Sequence, residues 1–225
     1  MYNLKEGDIE SSEERSLSEY PFFVRNNNAL HIIRKVQKIN TETMDKLCKS
    51  YSYFSIRSFE RGICESTASN DVILLSSQGK GYYPRDKITD KDAILNKYKV
   101  IMTYAMSGGN KPSSSGDYQV VSSLQILKPN EVVTETYLVV GAFDTKMEAE
   151  SLATYISTKF FRFLLLQALT SIHITKDSFC FIPVQSWDHE YTDEELYSKY
   201  ELSTDERLIV ENLIKATPFL SDDYE

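Results

Sequence analysis

The chain has 225 residues, is 41% hydrophobic and carries a formal charge of −8, enough apolar material for the core of one large domain or two small ones. No apolar run approaches the roughly 20 residues of a membrane-spanning helix, and the longest cluster, FFRFLLLQAL (160–169), is interrupted by Arg162 and Gln167. The opening MYNLKEGDIESSEERSLSEY is too acidic for a secretory leader, and Cys48, Cys64 and Cys180 are too widely spaced for a zinc or redox motif, so a reducing, cytoplasmic location is expected.

Residues 1–20 hold six acidic and two basic side chains and are expected to be a mobile acidic segment. A helix is predicted over about 27–39. Asn27 or Asn28 can cap it, and Ala29, Ile32, Ile33, Val36 and Ile39 recur at three- and four-residue steps. A weaker helix is predicted over 41–50. YSYFSIRSF (51–59) alternates loosely and reads as a strand; DVILLSS (71–77) reads as a strand apolar enough to be covered on both faces. ILNKYKVIMTY (94–104) passes from a helical turn into a strand, and SGGNKPSSSGDY (107–118) is a flexible loop. YQVVSSLQIL (118–127) and EVVTETYLVVGAF (131–143) read as strands joined by a Pro129-Asn130 turn.

The clearest element is a helix opened by the capping box Thr145-x-x-Glu148. Ala149, Leu152, Ile156, Phe163 and Leu166 share one face, and the pattern runs to Leu169, about 24 residues or ~36 Å. ITKDSFCFIPVQ (174–185) reads as a turn and a short strand, and a second box, Ser203 to Glu206, opens an acidic last helix reaching about Lys215. No repeat or long linker divides the chain. The expectation is one α+β domain over 21–225: a mixed or antiparallel sheet flanked by helices, one of them long, near 145–169.

Several chemistries compete for LLSSQGKGYYPRDKI (74–88). A Walker loop needs G-x-x-x-x-G-K followed by Ser or Thr, so that successive amides cradle phosphates. Here Gly79-Lys80-Gly81 runs into Tyr82, Tyr83 and Pro84, with no second glycine upstream at that spacing. A Rossmann loop would need glycine at Pro84. A nuclease centre of Asp71, Gln78 and Lys80 would need all three around one metal, but seven residues of strand between Asp71 and Gln78 span about 23 Å. His31, His173 and His189 lack partners at metal-ligand spacing, and no G-x-S-x-G or Cys-His signature occurs. Asp188, Glu190, Asp193, Glu194 and Glu195 read as a solvated face, with a cation-binding cluster as the alternative. No catalytic or metal-ligating residue is assigned.

Binding to a nucleic-acid strand fits the residues better. Residues 188–225 hold twelve acidic and three basic side chains, whereas 21–187 hold 20 basic and 15 acidic. Lys80, Arg85 and Lys87 can neutralise phosphates, and Tyr82 and Tyr83 offer flat faces or hydroxyls. Asn110, Lys111, Ser113 and Gln119 supply donors and acceptors suited to base edges. Lys159 projects from an apolar helix face, where a lysine snorkels, pairs with a carboxylate or reaches a phosphate. The plainer alternative is that Tyr82 and Tyr83 belong to the core edge and the lysines only solubilise it.

Three segments carry a resemblance. They are FFVRNNNALHIIRKV (22–36); VILLSSQGKGYYPRDKI (72–88) followed by NKYKVIMTYAMSGG (96–109); and YLVVGAFDTKMEAESLATYISTKFFRFLL (137–165) followed by FIPVQSWD (181–188). In order and spacing, over about 20–200, the chain resembles the C-terminal target-recognition (specificity) domain of adenine-specific DNA methyltransferases from bacterial type II restriction-modification systems. These include bifunctional enzymes that fuse nuclease, methylase and target reader. The resemblance implies a domain that contacts double-stranded DNA, with S-adenosylmethionine bound by a separate catalytic domain in cis or in trans. That catalytic domain carries an Asn-Pro-Pro-aromatic motif and a glycine-rich F-x-G-x-G loop. No two of the six prolines here are adjacent, and no such loop occurs, so the resemblance is to the reader without the catalyst: no enzyme by itself and no membrane partner. In that picture the glycines of 79–85 let the main chain approach the DNA backbone, and the 107–118 loop reads bases. The competing readings are a small metal-dependent nuclease centred on Asp71, Gln78 and Lys80, and a protein-interaction domain using the acidic last helix.

Overall fold

The computed structural model describes residues 2–5, 8–12, 19–20, 22, 24, 27–105 and 111–216. In the acidic N-terminal stretch, for which the sequence predicts no element, β1 (Tyr2–Lys5) and β2 (Asp8–Ser12) pair as an antiparallel hairpin. Then α1 (Asn27–Ile39) follows its predicted periodicity, burying Ala29, Leu30, Ile32, Ile33 and Val36. Six strands come next: β3 (Val72–Ser76), β4 (Gly79–Tyr83), β5 (Tyr98–Thr103), β6 (Leu124–Leu127), β7 (Glu131–Val133) and β8 (Tyr137–Phe143). The described chain ends in α2 (Lys146–Ser157), α3 (Lys159–Ala168), α4 (Asp193–Lys199) and α5 (Thr204–Leu213). The strands make two three-stranded sheets. In β4-β3-β7, β3 is antiparallel to β4 and parallel to β7; β6-β5-β8 is antiparallel throughout. The fold class is α+β, as predicted.

Strand alternation sorts the side chains into two cores. Val100, Met102, Leu138 and Val140 point from the β6-β5-β8 sheet into a large core shared with the helices. Ile101, Leu127 and Val139 point the other way, onto Val72, Leu74 and Val132 of the second sheet. The β6-β5-β8 sheet is therefore the middle of three layers. A bulge in β8 opposite Val100 and Ile101 leaves Val140 without a ladder partner. Beside it Leu152 of α2 packs so tightly on Gly141 that an added Cβ would stand 2.6 Å from its Cδ2. Among the described residues no helix is long and apolar enough to cross a membrane.

The helix predicted over 145–169 opens at the expected capping box, with Thr145 accepting from the Glu148 amide, but it breaks at Thr158. There the backbone is extended (φ −63°, ψ 149°). The Thr158 hydroxyl donates to the Tyr155 carbonyl at 2.7 Å and accepts from the Phe161 amide at 3.1 Å, ending one helix and starting the next. Asp193 of α4 caps the same new start, accepting from the amides of Lys159 (3.0 Å) and Phe160 (2.8 Å). The break has a physical reason. FFRFLLL is apolar on every side, and such a helix must be buried all round, which a straight continuation of the amphipathic α2 does not allow. α3 buries Phe160, Phe161, Phe163, Leu164, Leu165 and even Arg162. The Arg162 guanidinium donates to the carbonyls of Lys215 (2.7 Å), Ser157 (3.2 Å) and Thr158 (3.2 Å), tying the helix junction to the end of α5.

Other local expectations give way to tertiary partners. The predicted helix over 41–50 is a 3-10 turn at Met44–Lys46. The predicted strand over 51–59 is a series of turns: Ser55 has φ +59°, and the Tyr53 hydroxyl bonds Asp90 at 3.0 Å. The run 118–127 becomes strand only from Leu124, because Val120 sits at φ +66°. EVVTETYLVVGAF is two strands in different sheets, separated by a turn in which the Tyr137 amide donates to Thr134. In 174–185 the turn is a 3-10 segment at Lys176–Phe179, and Pro183 forms only an isolated bridge to Thr43. The carboxylate run near 193 is the first turn of α4, capped by Thr192. The Ser203–Glu206 capping box opens α5 as predicted.

Candidate nucleic-acid interface

β3 turns tightly into β4, with Ser76 opposite Gly79. On the outer edge of β4, Tyr82 exchanges both backbone hydrogen bonds with Ile63, at 2.8 and 2.9 Å. This brings Gly81 and Gly62 back to back: a Cβ on Gly81 would stand 2.6 Å from the Gly62 carbonyl carbon. The close backbone approach expected of Gly81 toward DNA is thus made by the chain itself. The ring of Tyr82 is 39% exposed, whereas Tyr83 is 8% exposed and packs into the core between the sheets, so its ring faces Val72 and its neighbours rather than solvent. Burial also raises the Tyr83 hydroxyl's pKa. Lys80 reaches across to β7 and pairs with the buried Glu131 at 2.7 Å. The other Glu131 oxygen accepts from the Lys128 amide at 2.8 Å. Arg85 and Lys87 lie exposed on the 3-10 turn after β4.

The second group of predicted residues sits elsewhere. Asn110 lies outside the described residues. Lys111, Ser113 and Gln119 are exposed, and Ser113 is turned inward on its own loop, bonding Asp117 and the Ser115 hydroxyl. Tyr118 ties this loop to the end of α5, donating to Leu213 (2.8 Å) and accepting from Lys215 (2.9 Å). Lys159 is nearby in the fold, but its ammonium pairs with Glu211 of α5 at 2.5 Å and also bonds the Glu211 carbonyl. It takes the carboxylate-paired arrangement and leaves no free charge for a phosphate. Among the described residues no hydrogen bond, ion pair or ring contact joins the 80–87 group to the 111–119 group.

The nuclease constellation is not assembled. Asp71 and Gln78 lie beyond opposite ends of β3, about 20 Å apart along the strand. Asp71 accepts from the amides of Ala68 (3.0 Å) and Thr67 (2.8 Å) and from the Ser66 hydroxyl, which holds its carboxyl below the usual range. Lys80 is committed to Glu131. Among the described residues no group of three His, Cys, Asp or Glu side chains is placed to hold a metal ion. His31 is exposed on α1. His189 is held between Asp188 and Glu195, each at 2.8 Å, and these carboxylates raise its pKa.

No family model matches the chain, and no curated protein matches it by sequence.

Sequence spacing also hides two features. The rings of Tyr51 and Tyr104 stack at 4.5 Å and 22°, and His173 also stacks on Tyr104, at 4.8 Å and 20°. A cleft of about 250 Å³ is lined by Lys46, Lys49, Lys97, Phe143 and Trp187, among others. These residues come from distant parts of the chain, so no motif announces them. The only sequence hint is the aromatic density of YSYF, read there as strand alternation.

Proposed function

We propose that this chain is a DNA target-recognition domain of the kind found in adenine-specific restriction-modification methyltransferases. It acts in the cytoplasm beside a catalytic domain, in cis or in trans, that binds S-adenosylmethionine and carries out methyl transfer. Its own residues perform no catalysis. The observation that carries the reading is the state of its cations. Of the eight Lys and Arg side chains in 78–128, Lys80 and Lys97 pair with carboxylates and Lys99 is buried. Arg85, Lys87, Lys91, Lys111 and Lys128 are exposed and, among the described residues, have no carboxylate within 4.0 Å. Carboxylates of the acidic C-terminal part are partly used internally: Glu206 holds Lys35 and Glu211 holds Lys159. That usage also weighs against the acidic last helix as a partner-docking face. Unpaired cations on turns and loops suit phosphate contacts, which fix position, while loop side chains read bases.

The test is an anisotropy titration of the full chain with duplex DNA at a series of salt concentrations. Affinity should fall steeply with salt. Arg85→Ala with Lys87→Ala should weaken binding to all duplexes alike and lower the slope by about 2, about one per phosphate contact removed. A double variant that binds any duplex as tightly as the parent, with an unchanged slope, refutes the phosphate role. Substitutions at Lys111, Ser113 and Gln119 should change preference among sequences.

A further inference from the structure

The segment 186–191 bends just before α4 and is held to α2 through its backbone: the Ser151 hydroxyl donates to the His189 carbonyl, and the Tyr191 amide donates to the Thr154 hydroxyl at 3.0 Å. The His189 side chain leaves this segment and reaches α4. Its Nδ1 stands 2.8 Å from an Asp188 oxygen, and its Nε2 stands 2.8 Å from a Glu195 oxygen. A neutral imidazole has one N–H, and an ionised carboxylate only accepts. Both contacts are hydrogen bonds only when both ring nitrogens carry protons. With one proton gone, a nitrogen lone pair faces a carboxylate oxygen at 2.8 Å, and that contact must open. The Tyr191 ring lies 4.3 Å away, centroid to centroid. The other charges nearby are engaged elsewhere: Arg207 of α5 pairs with Glu194, Lys146 of α2 pairs with Glu150, and Asp193 accepts from the Lys159 and Phe160 amides. Among the described residues Glu190 makes no hydrogen bond to the ring.

Glu195 sits in the first turn of α4, with its amide donating to Thr192. The His189–Glu195 contact therefore closes the chain from 189 to 195 into a loop, and Asp193, which caps the start of α3, lies inside that loop. We propose that His189 is a pH-operated latch: doubly protonated, it ties the 186–191 segment to α4, and as pH rises through neutrality the ring keeps its proton toward Asp188 and releases Glu195, loosening the Asp193 cap on α3. Histidine is the side chain whose ordinary titration falls near neutral. Its two carboxylate partners, Asp188 first and then Glu195, raise the His189 pKa above the ordinary 6.5. For a group raised in the folded state, the stabilisation is complete below 6.5 and is lost as pH rises through the folded-state value. The His189 side chain is 43% exposed, so the latch governs local opening rather than global folding.

The experiment follows the histidine ring signals of the full chain by NMR from pH 5.5 to 9, with His189 assigned by its loss in His189→Gln. His189 should titrate above 6.5, and Asp188→Asn and Glu195→Gln should each lower its midpoint. Amide hydrogen exchange, corrected for the intrinsic pH dependence, supplies the second readout. Protection of the Lys159 and Phe160 amides should fall about two- to fivefold as the parent passes through the His189 midpoint, the range expected for one exposed ion pair. In His189→Gln that step should vanish. Glu195→Gln leaves the histidine in place and removes only the partner on α4, so the step should vanish there too. Trp187, the one tryptophan of the chain, packs on Phe143 and Tyr155 beside Asp188, and its emission should change with the same midpoint in the parent. A His189 midpoint at or below 6.5 overturns the latch. So does equal protection on both sides of the midpoint, or a step that persists in either variant. None of these outcomes depends on DNA binding.

Discussion

Lys99 gives the sharpest test of the core. Its side chain is fully buried in β5, with no carboxylate within salt-bridge distance among the described residues. Instead the ammonium donates to the carbonyls of Lys97 (2.6 Å), Leu95 (2.9 Å), Lys128 (3.3 Å) and Ile94 (3.4 Å). Three protons thus serve four acceptors and pin together the two turns that flank β5 and β6. Burial pushes its pKa down from 10.5 to about 8, against the pull of the Glu131 and Asp90 charges. Below pH 8 both folded and unfolded chains carry the proton. Between 8 and 10.5 the unfolded chain still holds it while the folded chain has released it, so stability rises with pH. At about 1.36 kcal/mol per unit, roughly 2 kcal/mol of that rise falls between pH 7.5 and 9.5. Lys99→Met keeps the apolar stem and removes the titration. It should be the less stable protein at pH 7.5, because carbonyls left without a donor cost about 1–3 kcal/mol each. The gap between parent and variant, measured by urea unfolding, should then widen by roughly 2 kcal/mol at pH 9.5. The buried tyrosines, such as Tyr197 and Tyr200, whose pKa values are raised by burial, are common to both proteins and cancel in the difference. A gap that stays constant over this range refutes the account of Lys99 as a desolvated cation.

Gly81→Ala should lower stability by about 1–3 kcal/mol, because the new Cβ meets Gly62 backbone that cannot swing aside. Hydrogen exchange should show the Ile63 and Tyr82 amides losing protection, and unchanged protection would mean that the 62–63 segment does not seal β4. Thr158→Ala should cost about 1 kcal/mol in urea unfolding, since the hydroxyl that serves both Tyr155 and Phe161 is lost. Thr158→Ser should recover most of it, and an alanine variant as stable as the parent would leave Asp193 as the sole cap of α3.

What the sequence discloses here is what depends on near neighbours. The capping boxes at Thr145 and Ser203, the apolar face of α1 and the buried strand β3 are written within a few residues, and all appear where predicted. What it hides depends on a partner far along the chain. EVVTETYLVVGAF looks like one strand because its apolar pattern continues, yet β7 pairs with β3 and β8 with β5. The pattern of 145–169 looks like one helix because period alone does not say how many sides must be covered. Charge follows the same rule. Lys80 and Lys97 read as free cations by their local sequence, and Glu131 and Asp144 take them up only in the fold; for Lys159 the sequence leaves carboxylate pairing as one of three readings, and only the fold supplies Glu211. Local composition therefore overstates the positive surface. Of the cations it singles out, Lys80 on β4 and Lys159 on the apolar helix are taken up by carboxylates, and those left over stand on turns: Arg85 and Lys87 after β4 and Lys111 in the loop tied to α5, together with Lys91 before β5 and Lys128 between β6 and β7. For that reason the salt slope of the Arg85 and Lys87 variant, rather than that of any Lys80 variant, is the measurement on which the DNA-binding proposal turns.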